Sequence, residues 1–583
     1  VCGVAGVCLN HRMSCTDAES LTADLLAQLE HRGPDGRGLA ARSRSALGMA
    51  RLRVRSAPGD RVPFSEPADG IVHAFNGEIY RDGAATPQGG LAEARSASRP
   101  ELVDGMYAVA SSPSEDVLEL GRDPLGIKPL YVREGPEGVA AASEIVPLIN
   151  AFGRAPLRSE AFAQFLLTGR RVVDGGTFFE GVRPLPPGTR MRVAAGRVVA
   201  SAQTEPRRTE PAVPAPGELR ARLEEAVDRV LLADRPIGLA LSGGLDSTIL
   251  ARVLAGRGLR HLPTVSVCPE HTGDGVRSLS ELGLDDEVVS TWRHDWSPFG
   301  PADLLDGLSA AVRTFGEPTA MTSVPMYAAL ARSARAQGTT VLLVGEGADE
   351  LFAGYNRYVP LFAGEISDPV SFYLSRGRLE LVGELLGSEA AHGAADALRS
   401  AVGRAETAAG RRWGRTPGTI DVVREFEYEH SLEPLLRRTD HLLMAEGIEG
   451  RVPFLHAGVP ELSIRYPAPA LVRGDLTKAV LREEFADLLP PQHRKKRKQP
   501  FRAPVHQWLG GAELPRVDSA LAGATELLHH ELGVLPTGLR RLRERLAHGD
   551  ETAFTFAFAL LSAVEWLVWL DQSHVEEGAV SYA

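Results

Sequence analysis

Cysteine is scarce in this chain: Cys2, Cys8, Cys15 and Cys268 are the only four in 583 residues. None forms a Cys-x-x-Cys pair with a matching second half, which excludes a zinc site of that kind and a disulfide scaffold. Positive charge is also in deficit. A net charge of -11 and a pI near 5.9 give no broad cationic footprint for nucleic acid or an anionic membrane, so neither is an expected partner and small molecules are. No basic stretch followed by an apolar one opens the sequence, so no secretory signal is expected, and with so few cysteines the expected setting is a reducing cytoplasm. Only residues 553–570 form an apolar run approaching membrane-spanning length, and Glu565 lies inside it. A charge at bilayer depth costs about 3 kcal/mol, so a buried terminal helix is the expectation. Hydrophobic residues at 44% and charged residues at 24% describe an ordinary globular protein, and the length exceeds what one core supports.

The first third alternates short strand-like runs with turns and has a helix-like stretch at 18–30, which predicts a mixed α and β domain over 1–200. Residues 201–217 then collect prolines that oppose helix and central strand alike, and they are read as a linker. A second domain is expected over 218–570, with a tail over 571–583. Within it, residues 219–233 have helical periodicity, and 237–241, 264–267 and 340–344 read as short apolar strands separated by helices. That alternation implies a parallel sheet. Beyond residue 359 the pattern is mainly helical, including an alanine-rich stretch at 390–409 expected to present one face to solvent.

One more absence is informative. Between the strand at 237–241 and the following helix lies Ser242-Gly243-Gly244-Leu245-Asp246-Ser247, with none of the lysine that grips β and γ phosphates in a Gly-x-x-x-x-Gly-Lys-Ser/Thr loop. Two glycines still let backbone approach phosphate, serine hydroxyls and helix-start amides can donate to it, and Asp246 can hold Mg2+. The loop resembles that of the ATP pyrophosphatases, which implies cleavage of ATP to AMP and pyrophosphate.

Three further blocks join this loop: Cys2-Gly3-Val4-Ala5-Gly6, His31-Arg32-Gly33-Pro34-Asp35-Gly36 and Asn76-Gly77-Glu78-Ile79-Tyr80. In this order the chain resembles the glutamine-dependent asparagine synthetases. Supporting blocks are Gly121 to Gly126, Gly345-Glu346-Gly347-Ala348-Asp349-Glu350, Arg451 to Leu455, and Lys478 within Thr477 to Arg482. The resemblance implies α/β and α+β architecture: an N-terminal Ntn-hydrolase four-layer αββα sandwich, then a parallel-sheet ATP-pyrophosphatase domain with a helical C-terminal part.

The resemblance also implies roles. Cys2 becomes a terminal nucleophile once residue 1 is removed, Val1 standing where a methionine is usual, and its own α-amine serves as base. Free amine and thiol pKa values of about 7.7 to 8.5 need only a small shift to supply a thiolate near neutral pH. The Asn76 side chain and the Gly77 amide are the implied oxyanion donors. Arg51 is the implied partner of the glutamine α-carboxylate and Glu78 of its ammonium group. In the second domain, Leu241, Ser242, Gly243, Gly244, Asp246, Ser247, Val267 and Gly345 are the implied nucleotide contacts, Asp246 and Asp349 the Mg2+ ligands. Lys478 is the implied cation at the α-phosphate or pyrophosphate, and Glu346 the general base for the attacking ammonia adduct. Glutamine, ATP and a carboxylate acceptor are the implied substrates, and a homodimer is an open expectation. Ammonia formed in the first domain is expected to cross to the second through an apolar passage.

There are departures from the family pattern. Where a Gly-Ser-Asp-x-Glu block is usual, this chain has Gly89-Gly90-Leu91-Ala92-Glu93, so either glutamine binding is weakened or another acid substitutes for the missing aspartate. Met321 stands near the place of an arginine, and His456 follows Pro453-Phe454-Leu455 where aspartate is usual, which opens the acceptor site to acids other than aspartate. An ammonia-dependent or intramolecular amide former of the β-lactam synthetase or lasso-peptide cyclase type, and a scaffold with an inactive glutaminase, are the competing readings. The basic run 494–498 is read as a solvated loop, apart from Lys498-Gln499-Pro500-Phe501, which resembles a segment near the synthetase site.

Overall fold

The computed structural model describes residues 2–55, 61–66, 70–83, 90–98, 103–170, 172–204, 213–270, 275–284, 287–499 and 501–580. Val1, Gly89, residues 205–212 of the proline-rich stretch, Pro500 and residues 581–583 lie outside them.

Twelve strands precede residue 204: β1 (Cys2–Leu9), β2 (Arg37–Arg42), β3 (Ser45–Arg51), β4 (Phe64–Ser65), β5 (Val72–Asp82), β6 (Val103–Ser114), β7 (Val117–Arg122), β8 (Tyr131–Gly135), β9 (Gly138–Ala142), β10 (Val182–Pro184), β11 (Thr189–Ala194) and β12 (Arg197–Gln203). They form two six-stranded sheets, in the orders β10-β8-β9-β1-β3-β2 and β12-β11-β7-β6-β5-β4. β1 is buried along its whole length because both faces are covered. On one side it meets the second sheet, and on the other the helix Cys15–Ala27, whose start is fixed by reciprocal bonds between Ser14 and Asp17. The helix Gly90–Ala97 covers the outer face of β5 and β6. Helix, sheet, sheet and helix make the four layers. β12 carries strand structure to Gln203, three residues into the stretch read as linker. It can do so because it is an edge strand and the first proline comes after it, at 206.

The second domain is built on five parallel strands: β13 (Ile237–Ala240), β14 (Pro263–Pro269), β15 (Arg293–Phe299), β16 (Val341–Leu343) and β17 (Glu449–Arg451). Their order is β15-β14-β13-β16-β17, so the chain winds outward one way from β13 and the other way from β16. Ligands of such sheets sit at the carboxyl ends of the strands flanking that switch point. The helix Ser388–Trp413 buries Ala391, Ala394, Ala395, Leu398, Ala401, Val402, Ala405 and Ala409, one stripe at helical spacing, and turns the remainder outward. The last helix, Glu551–Val580, runs through most of the stretch read as a tail. Among the described residues it alone is apolar and long enough to cross a membrane, and 72% of its most apolar window is buried. Trp566 explains the burial: its indole nitrogen donates to the Gly316 carbonyl at 2.9 Å and its ring packs on Phe178 and Phe179 of the first domain.

Charged groups are buried at the junction between the domains, beside apolar contacts such as those of Leu52 and Val54 with Val341 and Met444. Arg32, fully buried, donates to Glu144 at 2.7 Å and to Asp440 at 2.6 Å, and Lys128 reaches Asp440 at 3.2 Å. The carboxyls of Glu144 and Asp440 lie below their ordinary range: burial opposes this, and the neighbouring cations outweigh it. His456 is placed here too, its Nδ1 3.1 Å from Asp104 and its ring edge-on to Tyr80, so it belongs to the domain junction. The junction between the two domains thus holds a buried ion network.

Candidate active sites

In the first domain, β1 and β3 pair so that Cys2 lies opposite Arg51. The 31–36 segment closes over that end of the ladder: Asp35 N donates to the Arg51 carbonyl at 2.9 Å and Arg51 N to Gly36 at 2.7 Å. A side chain at Gly33 would meet Ala50 backbone at 2.1 Å, which is why a glycine is needed there. The Cys2 backbone nitrogen donates to Asn76 Oδ1 at 2.9 Å. That bond turns the amide end of Asn76 away, and its Nδ2 is buried with no partner, a donor held ready at costly desolvation. Gly77 next to it has φ +141, and a Cβ would lie 1.9 Å from the Met106 carbonyl. The Gly121–Gly126 block is structural. Asp123 accepts from Leu125, Ile127 and Lys128 amides at 2.9 to 3.1 Å, and its backbone nitrogen holds the Tyr107 carbonyl, opposite Gly77, at 2.9 Å.

Burial pushes the Cys2 thiol up, with Arg51 among the groups pulling it down. With residue 1 in place a thiolate here would be desolvated. Glu78 sits between Arg55 at 3.4 Å and Arg451 of the second domain at 3.7 Å. Leu91 is partly buried against the sheet core, and the acid its helix supplies is Glu93, which accepts from Ile79 N at 3.1 Å and Arg55 at 3.0 Å. Burial first, then the charge of Glu78, raises the Glu93 carboxyl from 4.5 to about 8. The folded chain therefore keeps this proton to higher pH than the unfolded chain does, and stability falls as pH rises from about 4.5 through 8. In Glu93→Gln the fall in melting temperature across that window should shrink. An unchanged pH dependence would place Glu93 outside this account.

In the second domain the loops after β13 and β16 converge. Asp246 lies in the first turn of the helix Leu245–Gly256 and Asp349 in the short helix Ala348–Leu351. A Cβ on Gly345 would sit 3.1 Å from the Asp246 Cβ, so the two loops touch. Lys478 Nζ lies between the carboxylates, 2.6 Å from Asp246 and 2.7 Å from Asp349. Its backbone is left-handed at φ +53, a conformation uncommon outside glycine that recurs at functional sites. Lys498 adds a second ammonium 2.7 Å from Asp349. Burial opposes ionisation of Asp349, but Lys478 and then Lys498 hold its carboxyl down, and Asp349 raises Lys498 against its own burial.

Sequence reading passed over Gly354, five residues beyond Asp349. A Cβ there would lie 1.9 Å from Asp349 Oδ1 and 2.1 Å from the Lys478 side chain, so the lysine reaches the carboxylates only past a glycine. Gly354→Ala should reduce adenylation by at least about 100-fold with the fold retained, since displacing one charge-stabilising group costs about that much. An activity within threefold of the parent would show that the lysine has room to move. The basic run read as solvated is also partly turned inward. Lys496 Nζ is 3.3 Å from the Gly243 carbonyl and Lys498 is in the cluster, while Arg497 pairs with Asp475 at the surface. Among these cations only the Lys498 segment carried a signal in the sequence.

A cavity of about 790 Å³ opens from this cluster and is lined by Leu241, Ser242, Ser247, Val267, Gly345 and Glu346 among others. A smaller one of about 50 Å³ is lined by Gly243, Gly244, Asp246, Val267, Lys478 and Lys496. Glu346 is ion-paired with Arg438, whose other nitrogen donates to Ser323 at 2.6 Å and whose guanidinium lies 4.5 Å from the Tyr327 ring centre. Met321 lines the same cavity. Asp246 and Asp349 offer hard oxygen donors suitable for Mg2+, and among the described residues no group of three or more acidic, histidine or cysteine side chains could cage a metal. Two carboxylates beside a basic cradle fit an ion that arrives with phosphates and keeps its waters.

Residues 218–569 match the family model for asparagine synthase, and residues 1–84 and 95–204 the model for a glutamine amidotransferase domain. A putative asparagine synthetase [glutamine-hydrolyzing] of Mycobacterium tuberculosis is 28% identical over 88% of this chain and 88% of its own. Asparagine synthetase [glutamine-hydrolyzing] 1 of Bacillus subtilis is 25% identical over 87% and 88%. Asparagine synthetase B [glutamine-hydrolyzing] of Escherichia coli is 26% identical over 61% and 65%. With the parallel-sheet domain matched almost end to end and the antiparallel sandwich ahead of it, the chain belongs to the asparagine synthase family of carbon–nitrogen ligases.

Proposed function

We propose that this protein hydrolyses glutamine at Cys2 and uses the ammonia to amidate a carboxylate that ATP has converted to its adenylate, with aspartate, AMP and pyrophosphate as the expected acceptor and by-products. The observation that carries the reading is the Lys478 ammonium held between Asp246 and Asp349 at the switch point of the parallel sheet.

In the first domain, Cys2 Sγ attacks the glutamine carboxamide, the α-amine freed by loss of residue 1 takes the thiol proton and passes it to the ammonia that leaves as the C–N bond breaks, and water then cleaves the thioester to glutamate and restores the thiol. The unpartnered Asn76 Nδ2 and the Gly77 amide donate to the oxyanion. Arg51, beside Cys2, takes the α-carboxylate. In the second domain, the Ser242–Ser247 loop and the amides of the following helix hold the phosphates. Lys478 and Lys498 neutralise charge on the α-phosphate and the departing pyrophosphate, leaving their carboxylate partners when the nucleotide binds. Mg2+ bound by Asp246 and Asp349 would supply electrostatic neutralisation of the pyrophosphate. Glu346, steadied by Arg438, removes a proton from the ammonia adduct as AMP leaves.

A screen of carboxylic acids with ATP, Mg2+ and either glutamine or ammonium, read by the mass of the amide, tests this. Asparagine from aspartate under both nitrogen sources is the expected product, and absence of AMP formation with every acid would sink the reading. The missing aspartate near Leu91 and the ion pair from Glu78 to Arg451 favour a second reading in which ammonium outperforms glutamine. The ratio of the two rates decides it.

A further inference from the structure

The nucleophile of the first domain has more cations around it than its acids can neutralise. Asn76 and Glu78 lie two residues apart on β5 and so face the same side of the sheet, the side on which Asn76 meets Cys2. Glu78 is the acid of that face, and it is already engaged. Arg55 approaches one of its oxygens at 3.4 Å and Arg451 the other at 3.7 Å. Glu93 is engaged too, by Arg55 at 3.0 Å and by the Ile79 amide at 3.1 Å. Burial and then the charge of Glu449 push the Glu78 carboxyl up, and Glu93 keeps its proton to about 8. Glu449 is itself bonded to Arg451, and both it and Arg51 act on the Cys2 thiol. With Glu93 protonated at neutral pH, Glu78 and Glu449 cancel at most two of the three guanidiniums of Arg51, Arg55 and Arg451. One positive charge is left over. The neighbouring surface is apolar: Leu91 packs against the same cluster that holds Cys2 and Phe64. The Phe64 ring centre lies 5.4 Å from the Arg51 guanidinium, and the ring is so close to Gly90 that a Cβ there would meet it at 2.1 Å.

A substrate ammonium bound here would lose its hydration, meet surplus positive charge and have to displace a guanidinium before reaching either acid. A carboxylate is attracted by the same surplus, and a methylene in place of the ammonium-bearing carbon meets Leu91 and Phe64 with no polar group to desolvate. We propose that the Cys2 site prefers, as nitrogen donors, monoamides of simple dicarboxylic acids, which carry the carboxamide and the distant carboxylate of glutamine without its ammonium. Glutaramate is the five-carbon case. Cys2 Sγ displaces ammonia from the carboxamide, and water then releases the dicarboxylic acid from the thioester and returns a proton to the thiol. This rests on the amide hydrolysis proposed above for Cys2.

The test uses the full-length enzyme with Cys2 at its terminus, checked by mass, and reads the ammonia released from glutamine and from glutaramate. KM for glutaramate should be at least about tenfold below that for glutamine, since a charge brought in without its partner forfeits about what a hydrogen bond to a charged group is worth. Leu91→Asp supplies an acid, and should lower KM for glutamine about tenfold or more without lowering that for glutaramate. Should that variant misfold, Arg55→Gln takes one guanidinium away from Glu78 and Glu93, and it should draw the two KM values toward each other. A parent KM for glutamine equal to or below that for glutaramate, or variants that shift both donors alike, would overturn the proposal. If neither amide is hydrolysed, calorimetry with the Cys2→Ala enzyme separates the two readings. Glutaramate bound more tightly than glutamine would remove the hydrolysis and leave the preference of the site standing, and glutamine bound as tightly or more so would remove both.

Discussion

Lys478→Ala should abolish pyrophosphate exchange with either nitrogen source, a loss of at least about 1,000-fold, while glutamine hydrolysis at the other site continues. Two effects add. The lysine is the cation nearest both carboxylates, and loss of one preorganised charge at a transition state typically costs about 100- to 1,000-fold. Its removal also leaves Asp246 and Asp349 facing each other in a buried setting with Lys498 as the remaining neutraliser, and an uncompensated buried charge is costly. Glutamine hydrolysis serves as the folding control. Pyrophosphate release equal to that of the parent would exclude the assigned role.

Cys2→Ala should have an effect as large and confined to the first domain. Glutamine-dependent amide formation should fall to background, because neither Asn76 nor Gly77 can replace a nucleophile, whereas ammonium-dependent formation should stay within about twofold of the parent. The measurement is the amide formed from each nitrogen source at saturating ATP. Equal loss of both activities would contradict two separate sites. Buried ion pairs cross the junction between the domains, Arg32 touching both the Cys2 carbonyl at 3.4 Å and Asp440 at 2.6 Å. A small deletion at Cys2 changes none of these contacts with the second domain.

Local pattern carried most of the architecture. The strand, glycine turn and helix around Ser242 are contiguous, so apolar periodicity and turn chemistry point to them without knowledge of the rest. The same holds for the strands at 264–267 and 340–344, which differ from the observed β14 and β16 only at their ends. The missed features were those whose meaning is a distance. Gly354 looks like any loop glycine until Lys478, more than a hundred residues on, lies across it. Lys496 reads as surface charge because a basic run usually is one. His456 was taken for an acceptor-site residue, and its partner Asp104 is 352 positions away.

By itself the sequence determined to which family the chain belongs and pointed to the loops proposed to carry phosphate and nucleophile chemistry, since these depend on residue types held a few positions apart. Tertiary structure alone decided that Asp246 and Lys478, 232 residues apart, make one charge cluster, that buried ion pairs cross the domain junction, and that Arg170 and Arg357 come from different domains to one cavity wall. Charges act through space with a strength set by separation and burial, and neither quantity is written along the chain.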